Sequence, residues 1–180
     1  MKTYIAILRG VNVSGHNKIN MKELKSLLEE HGYENVTTYI QSGNIVFTIA
    51  KDVRQLEKNL EKLMTDKFQL TIPVIVRTAD QLKSIIKENP FLKETNLEES
   101  KLYFTLLAEP PSTENIKKII EYNYEPDKFE VTKSVVYVFC PNGYGVTKLS
   151  NNFFENKLKV NATTRNLNTL NKLIELAEKL

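Results

Sequence analysis

The stretch Val36-Thr37-Thr38-Tyr39-Ile40-Gln41-Ser42-Gly43-Asn44-Ile45-Val46-Phe47-Thr48-Ile49 decides the fold. Residues 36–40 and 44–49 are short runs rich in β-branched and aromatic side chains, parted by Ser42-Gly43, where glycine admits the positive φ of a hairpin turn. A helix is written on either side. Ahead of the hairpin, Asn20 stands where it can cap a helix over residues 21–31. Glu23 holds the reciprocal capping position, Leu24, Leu27 and Leu28 make one face, and Gly32 fits the left-handed stop. Behind it, Leu56, Leu60, Leu63 and Met64 keep helical spacing from Asp52 to Phe68. Residues 4–8 and 72–76 read as the first and last strands of this order, with Pro73 suited to a strand start or an edge. The order β-α-β-β-α-β is the split βαβ arrangement of ferredoxin-like folds.

The rest of the chain runs through the same order again. A third helix over 79–87 ends before Asn89-Pro90, because the residue preceding proline disfavours helical angles. A strand at 102–107, a helix at 112–122, a strand pair at 129–131 and 135–139, a helix at 150–158, a short extended piece and a last helix at 168–180 follow. The segment from Arg77 to Ile86 superimposes on that from Arg165 to Ile174 at a constant offset of 88 positions, with the arginine, a leucine and the closing apolar pair matched. The expectation is an α+β protein made by tandem duplication of two ferredoxin-like units with antiparallel sheets, one at 1–90 and a similar one packed on it at 91–180.

Bulk properties narrow the function. The net charge is +3 and is spread evenly, with 14 basic and 13 acidic residues in 1–100 and 11 and 9 in 101–180, so no basic tail marks a nucleic-acid binder. The lone Cys140 allows no internal disulfide and reads as a buried structural thiol. The apolar run at the N-terminus is too short for a signal peptide, and nothing approaches the roughly 20 apolar residues of a membrane span. A cytoplasmic protein with no membrane association is expected.

Polar residues gather at two places that a ferredoxin-like sheet would bring together. With strand order 4-1-3-2, the first strand exits at the end where the second and third strands turn. Arg9, Gly10, Asn12, Gly15, Asn17 and Lys18 would then face Gln41, Ser42, Gly43 and Asn44 near the positive end of the helix starting at Met21, a setting that attracts an anion. His16 is a candidate base, although a solitary loop histidine is commonly a solvated surface residue. No nucleophile–base pair or metal-ligand cluster is visible, and no cofactor is named. Gly10-x4-Gly15 has the glycine spacing of a phosphate-binding P-loop, but the lysine is displaced and no Ser or Thr follows it. Residues 42–47 echo the RNA-recognition sheet motif with Asn44 and Ile45 where an aromatic is wanted. A second cluster at 143–152 and 162–168, with Lys148, Arg165 and Asn166, is a further wall of the cleft, part of a contact between the units, or a set of turn and cap residues.

Several blocks together resemble the bacterial domain-of-unknown-function family 1697 at nearly full length. They are Arg9-Gly10-Val11-Asn12-Val13-x-Gly15-x-Asn17-Lys18, Thr38-Tyr39-Ile40-Gln41-Ser42-Gly43-Asn44-x-Val46-Phe47, Pro73-Val74-x-Val76-Arg77-Thr78, Asn89-Pro90-Phe91, Lys148-Leu149-Ser150-Asn151 and Thr163-Thr164-Arg165-Asn166-x-Asn168-Thr169. The resemblance implies a compact two-unit α+β fold and brings no established activity, so no catalytic residue is carried over. Leu167 departs from the pattern, where the family usually has tryptophan after Arg-Asn. The expected function is the binding of a small anionic or phosphorylated ligand, a nucleotide among the candidates. The alternatives are an enzyme of group transfer or hydrolysis on such a compound and an RNA-binding module. Oligomeric state is open.

Overall fold

The computed structural model describes residues 1–13, 15–50, 53–94 and 97–180, with backbone alone for Val53 and Arg54. Ser14 and Asp52, the latter expected to open the second helix, lie outside the described residues. Within them the chain is a mixed α+β protein with two four-stranded antiparallel sheets and six α-helices. It divides into two compact units, one formed by Met1–Lys83 with Asn171–Leu180 and the other by Ser84–Leu170.

The first unit holds β1 (Lys2–Leu8), α1 (Met21–Glu30), β2 (Glu34–Tyr39), β3 (Asn44–Ile49), α2 (Val53–Phe68) and β4 (Val74–Arg77), and α3 (Ala79–Lys87) begins in it. The sheet order is β2-β3-β1-β4, the order expected from the sequence. Side-chain alternation along a strand puts Tyr4, Ala6 and Leu8 on one face, and Ile45, Phe47, Ile49, Val74 and Val76 join them there. Leu24, Leu27 and Leu28 of α1 and Leu56, Leu60 and Met64 of α2 complete this core. Asn20 caps α1 as expected, its side chain accepting from the Lys22 and Glu23 amides. The Glu23 carboxylate is directed elsewhere than the reciprocal capping position, 3.6 Å from Lys67 Nζ.

The hairpin is looser than a two-residue turn. Tyr39 pairs directly with Asn44, so four residues make the connection, with left-handed backbone at Ile40 and Gly43. Asn44 explains the length: its amide reaches back to the Tyr39 carbonyl at 3.2 Å and the Ser42 hydroxyl at 2.9 Å.

The second unit repeats the succession with β5 (Leu102–Leu107), α4 (Thr113–Ile119), β6 (Lys128–Val131), β7 (Val135–Phe139), α5 (Asn151–Leu158) and β8 (Ala162–Asn166), in the order β6-β7-β5-β8. Its core gathers Leu107, Ile119, Val136, Val138, Cys140, Phe154, Leu158 and Ala162. The last helix, α6 (Leu167–Glu178), follows β8 without a break. The short extended piece expected near residue 162 is thus an edge strand paired with β5 from Tyr103↔Asn166 to Leu107↔Ala162.

Candidate functional site

The segment joining β1 to α1 and the turn joining β2 to β3 meet at one end of the first sheet. The Leu8 amide donates to the Gly43 carbonyl at 2.8 Å, and the Asn12 side-chain amide donates to the Gln41 carbonyl at 2.7 Å. Asn12 is the central tie. Its Nδ2 also donates to the Ile19 carbonyl at 3.0 Å, while its Oδ1 accepts the Ile19 amide at 2.9 Å. Asn17 closes the loop from the other side, with its backbone carbonyl accepting from Asn12 N–H at 3.1 Å and its side chain donating to Gly10 C=O at 3.1 Å. The amides of Asn12, Asn17 and Asn44 are therefore employed in holding backbone.

Six of the eleven left-handed residues among the described residues lie in these two segments: Gly10, Asn12, Gly15, Asn17, Ile40 and Gly43. Glycine and asparagine adopt this conformation readily. Ile40 does not, and a β-branched residue at φ 50° is a genuine backbone outlier that costs about 1–2 kcal/mol. At Gly43 a side chain is also excluded by space, since a Cβ there would stand 2.8 Å from Leu8 Cβ and 3.2 Å from Val11 Cβ. Gly15 has open space around it. The outward side chains are Val13, His16, Lys18, Ile40 and Gln41, all exposed, with Arg9, Gly10 and Ser42 half-buried at the base. His16 and Lys18 make no ion pair among the described residues.

The C-terminal residues have different surroundings. Arg165 donates to Thr163 Oγ1 at 3.0 Å and to the Thr164 carbonyl at 2.8 Å, and burial lowers its guanidinium to about 10, where it stays charged at neutral pH. Asn166 Oδ1 accepts the Thr169 amide at 2.8 Å and so caps α6. The matched position after β4 does the same work for α3, through Thr78 and Gln81, whose side chains and amides bond reciprocally at 2.9 and 3.2 Å. Arg77, the counterpart of Arg165, donates to the Val76 carbonyl at 2.8 Å, and burial lowers its pKa as well. Lys148 is exposed, with Nζ 5.7 Å from the Tyr124 ring centre. Leu167 is buried as the first residue of α6.

A polar network in the second unit had no signal in the sequence. Thr164 Oγ1 contacts Thr105 Oγ1 at 2.8 Å, Tyr144 Oη at 3.1 Å and Asn151 Oδ1 at 3.0 Å. A hydroxyl has one proton, and Asn151 Oδ1 can only accept, so Thr164 donates there and receives from Thr105 and Tyr144. Cys140 is buried as expected, and burial pushes its thiol up to about 11, which keeps it protonated and inert at neutral pH. Among the described residues no three His, Cys, Asp or Glu side chains are placed to hold a metal ion. No described helix is long and apolar enough to cross a membrane.

A protein-family model matches residues 1–137, more than half of the chain. The chain belongs to the family described as "Protein of unknown function (DUF1697)". The similarity extends through the fold of a solved member of the bacterial world, "conserved bacterial protein SP0830 from Streptococcus pneumoniae", which is 22% identical and superimposes with a TM-score of 0.75. The match covers 97% of this chain and 98% of that one, and at this identity it carries the fold alone. No curated protein matches the chain.

Proposed function

We propose that the chain is a tandem duplication of two ferredoxin-like units, dividing near residue 90, and that the paired loops of the first unit bind a small anionic or phosphorylated compound in the cytoplasm, nucleotides among the candidates. The duplication is supported by the equal strand orders of the two sheets and by the arginine-and-cap arrangement shared by the ends of β4 and β8.

The single observation that carries the binding reading is the Asn12 tie. It fixes two glycine- and asparagine-rich segments against each other while the exposed side chains of His16 and Lys18 stay outside the hydrogen-bond framework. The asparagines act as scaffold in this reading. Lys18, Gln41 and, when protonated, His16 are the groups that meet the anion, with Arg9, Gly10, Ser42 and Gly43 shaping the base and Gly15 at the exposed rim. The backbone outlier at Ile40 points the same way, because strain of this kind persists where the surrounding structure has a use for it.

The test is a titration of the protein with inorganic phosphate, pyrophosphate and ATP at low salt, followed by melting temperature. Ligand at 100 times its Kd should add about 2.7 kcal/mol of stability. Lys18→Gln should weaken binding several-fold and flatten its dependence on salt. A panel that leaves the melting temperature unmoved, or a Lys18→Gln protein that binds as tightly as the parent, would overturn the reading.

A further inference from the structure

A hollow of about 270 Å³ lies at the far end of β2 from the paired loops, between the end of α1 and one side of α2. Its lining is His31, Tyr33, Asn59, Lys62, Leu63 and Asp66. The four α2 members follow the spacing i, i+3, i+4, i+7, which puts them on one face of the helix. Facing them, the chain leaves α1 through a tied turn. The Gly32 amide donates to the Glu29 carbonyl at 3.2 Å and the Tyr33 amide to the Leu28 carbonyl at 3.1 Å.

Two polar groups of this lining lack a partner among the described residues. Tyr33 is only 2% exposed, and its hydroxyl is buried without a hydrogen bond. The ring is held edge-on against Phe47 with centres 5.0 Å apart, and burial raises the pKa of the phenol, which stays a proton donor at neutral pH. An unmet buried donor destabilises the fold that carries it, so its retention calls for a reason. Asn59 is half-buried, and its carboxamide makes no hydrogen bond either. His31 adds a third group. Its Nδ1 lies 2.7 Å from the Leu27 carbonyl, which can only accept, so Nδ1 carries the proton and the neutral ring leaves Nε2 as an acceptor.

We infer that this hollow binds a small neutral amide, whose carbonyl oxygen accepts from the Tyr33 hydroxyl and whose N–H donates to Asn59 Oδ1 or His31 Nε2. A bare carbonyl would answer the first group alone, whereas an amide carries a donor beside its acceptor. With His31 neutral, the charged side chains of the lining are Lys62 and Asp66, which bind each other at 2.6 Å and offset one another, so the lining favours neither sign of ligand. Leu63 and the Tyr33 ring offer apolar surface to the rest of the molecule. The volume falls below the roughly 300–1,000 Å³ of sites for drug-sized ligands, which suits a single ring with one amide. The competing occupant is an internal water, which would satisfy the hydroxyl without any ligand.

The experiment is an NMR titration of the full chain with benzamide, uracil, methyl benzoate and toluene. Saturable amide shifts at residues 31–33 and 59–66 are expected for benzamide or uracil, and the tighter of the two assigns an open or a ring amide. Methyl benzoate keeps the acceptor and loses the donor, toluene loses both, and each lost hydrogen bond should weaken binding roughly fivefold. Tyr33→Phe keeps the ring and its contact with Phe47, so it should weaken benzamide roughly fivefold, leave toluene unchanged and leave the melting temperature of the free protein no lower. Asn59→Ala, a favourable helix substitution, should weaken benzamide roughly threefold. Benzamide binding no more tightly than toluene would overturn the proposal, as would an absence of saturable shifts with both amides. So would a Tyr33→Phe protein that binds benzamide as the parent does, or one that melts lower, since that loss would show the hydroxyl already satisfied by water alone.

Discussion

The two sheets share a strand order and differ in where they keep their polar groups. In the first, β1 connects to α1 through residues 9–20, with four left-handed residues among those described, and the sheet position beside Arg77 is the apolar pair Ala6↔Val76. In the second, β5 connects to α4 through residues 108–112, which contain two prolines and no left-handed residue, and the position beside Arg165 is the pair Thr105↔Thr164. One unit has an elaborate loop and an apolar pair at that sheet position, the other a short loop and a pair of hydroxyls there. The architecture therefore needs neither feature. A five-residue connection suffices to turn the chain from strand to helix, so the extra length, the asparagine framework and the strain at Ile40 in the first unit call for a reason outside folding.

Changing Gly43 to alanine should break the first unit's side of this contrast most severely. The new Cβ meets Leu8 Cβ at 2.8 Å on a backbone with φ 74°, and overpacking together with left-handed strain should cost about 3 kcal/mol. Gly15→Ala, with the same hand of backbone and open space, is the control and should cost about 1 kcal/mol. Urea unfolding of the two variants measures the difference, and equal losses would show that close approach at Gly43 does not matter. Thr164→Val probes the second unit next. It keeps the shape but leaves Asn151 Oδ1 without its donor and the hydroxyls of Thr105 and Tyr144 without their acceptor, at about 2 kcal/mol. Adding Thr105→Ala reproduces the Ala6↔Val76 pair, and a double mutant that recovers part of the loss would show that the penalty lies in stranded partners. The smallest effect is expected at Ile40→Asn. Asparagine tolerates left-handed backbone and the isoleucine is half exposed, so stability should rise by roughly 0.5–1 kcal/mol. A loss there would mean that the Ile40 side chain has packing that outweighs its strain.

Most elements were legible because their signals are local. β5 and β7 occupy the residues that their apolar runs mark, α1 is capped by Asn20, and α3 stops before Asn89-Pro90. The meeting of the two loops was legible as well, since it follows from strand order. What the loop asparagines do was not. A carboxamide carries the same donor and acceptor as a peptide group, so Asn12 serves a ligand or its own backbone equally well in one dimension, and only coordinates reveal that Ile19 and Gln41 take all of it. The hollow beside Tyr33 was hidden for a different reason. Its other wall comes from α2, and neither a tyrosine after a helix stop nor an asparagine on a helix face tells an unmet hydrogen-bonding group from a satisfied one.

The grouping of residues 171–180 with the first unit sets the order in which the protein can be completed on the ribosome. Residues 171–180, which are grouped with that unit, follow only after residues 84–170 have been made, an interval of roughly 4–17 seconds at about 5–20 residues per second. During that time the nascent first unit lacks one of its own pieces. Removal of residues 171–180 would consequently be felt in the unit built from residues 1–83.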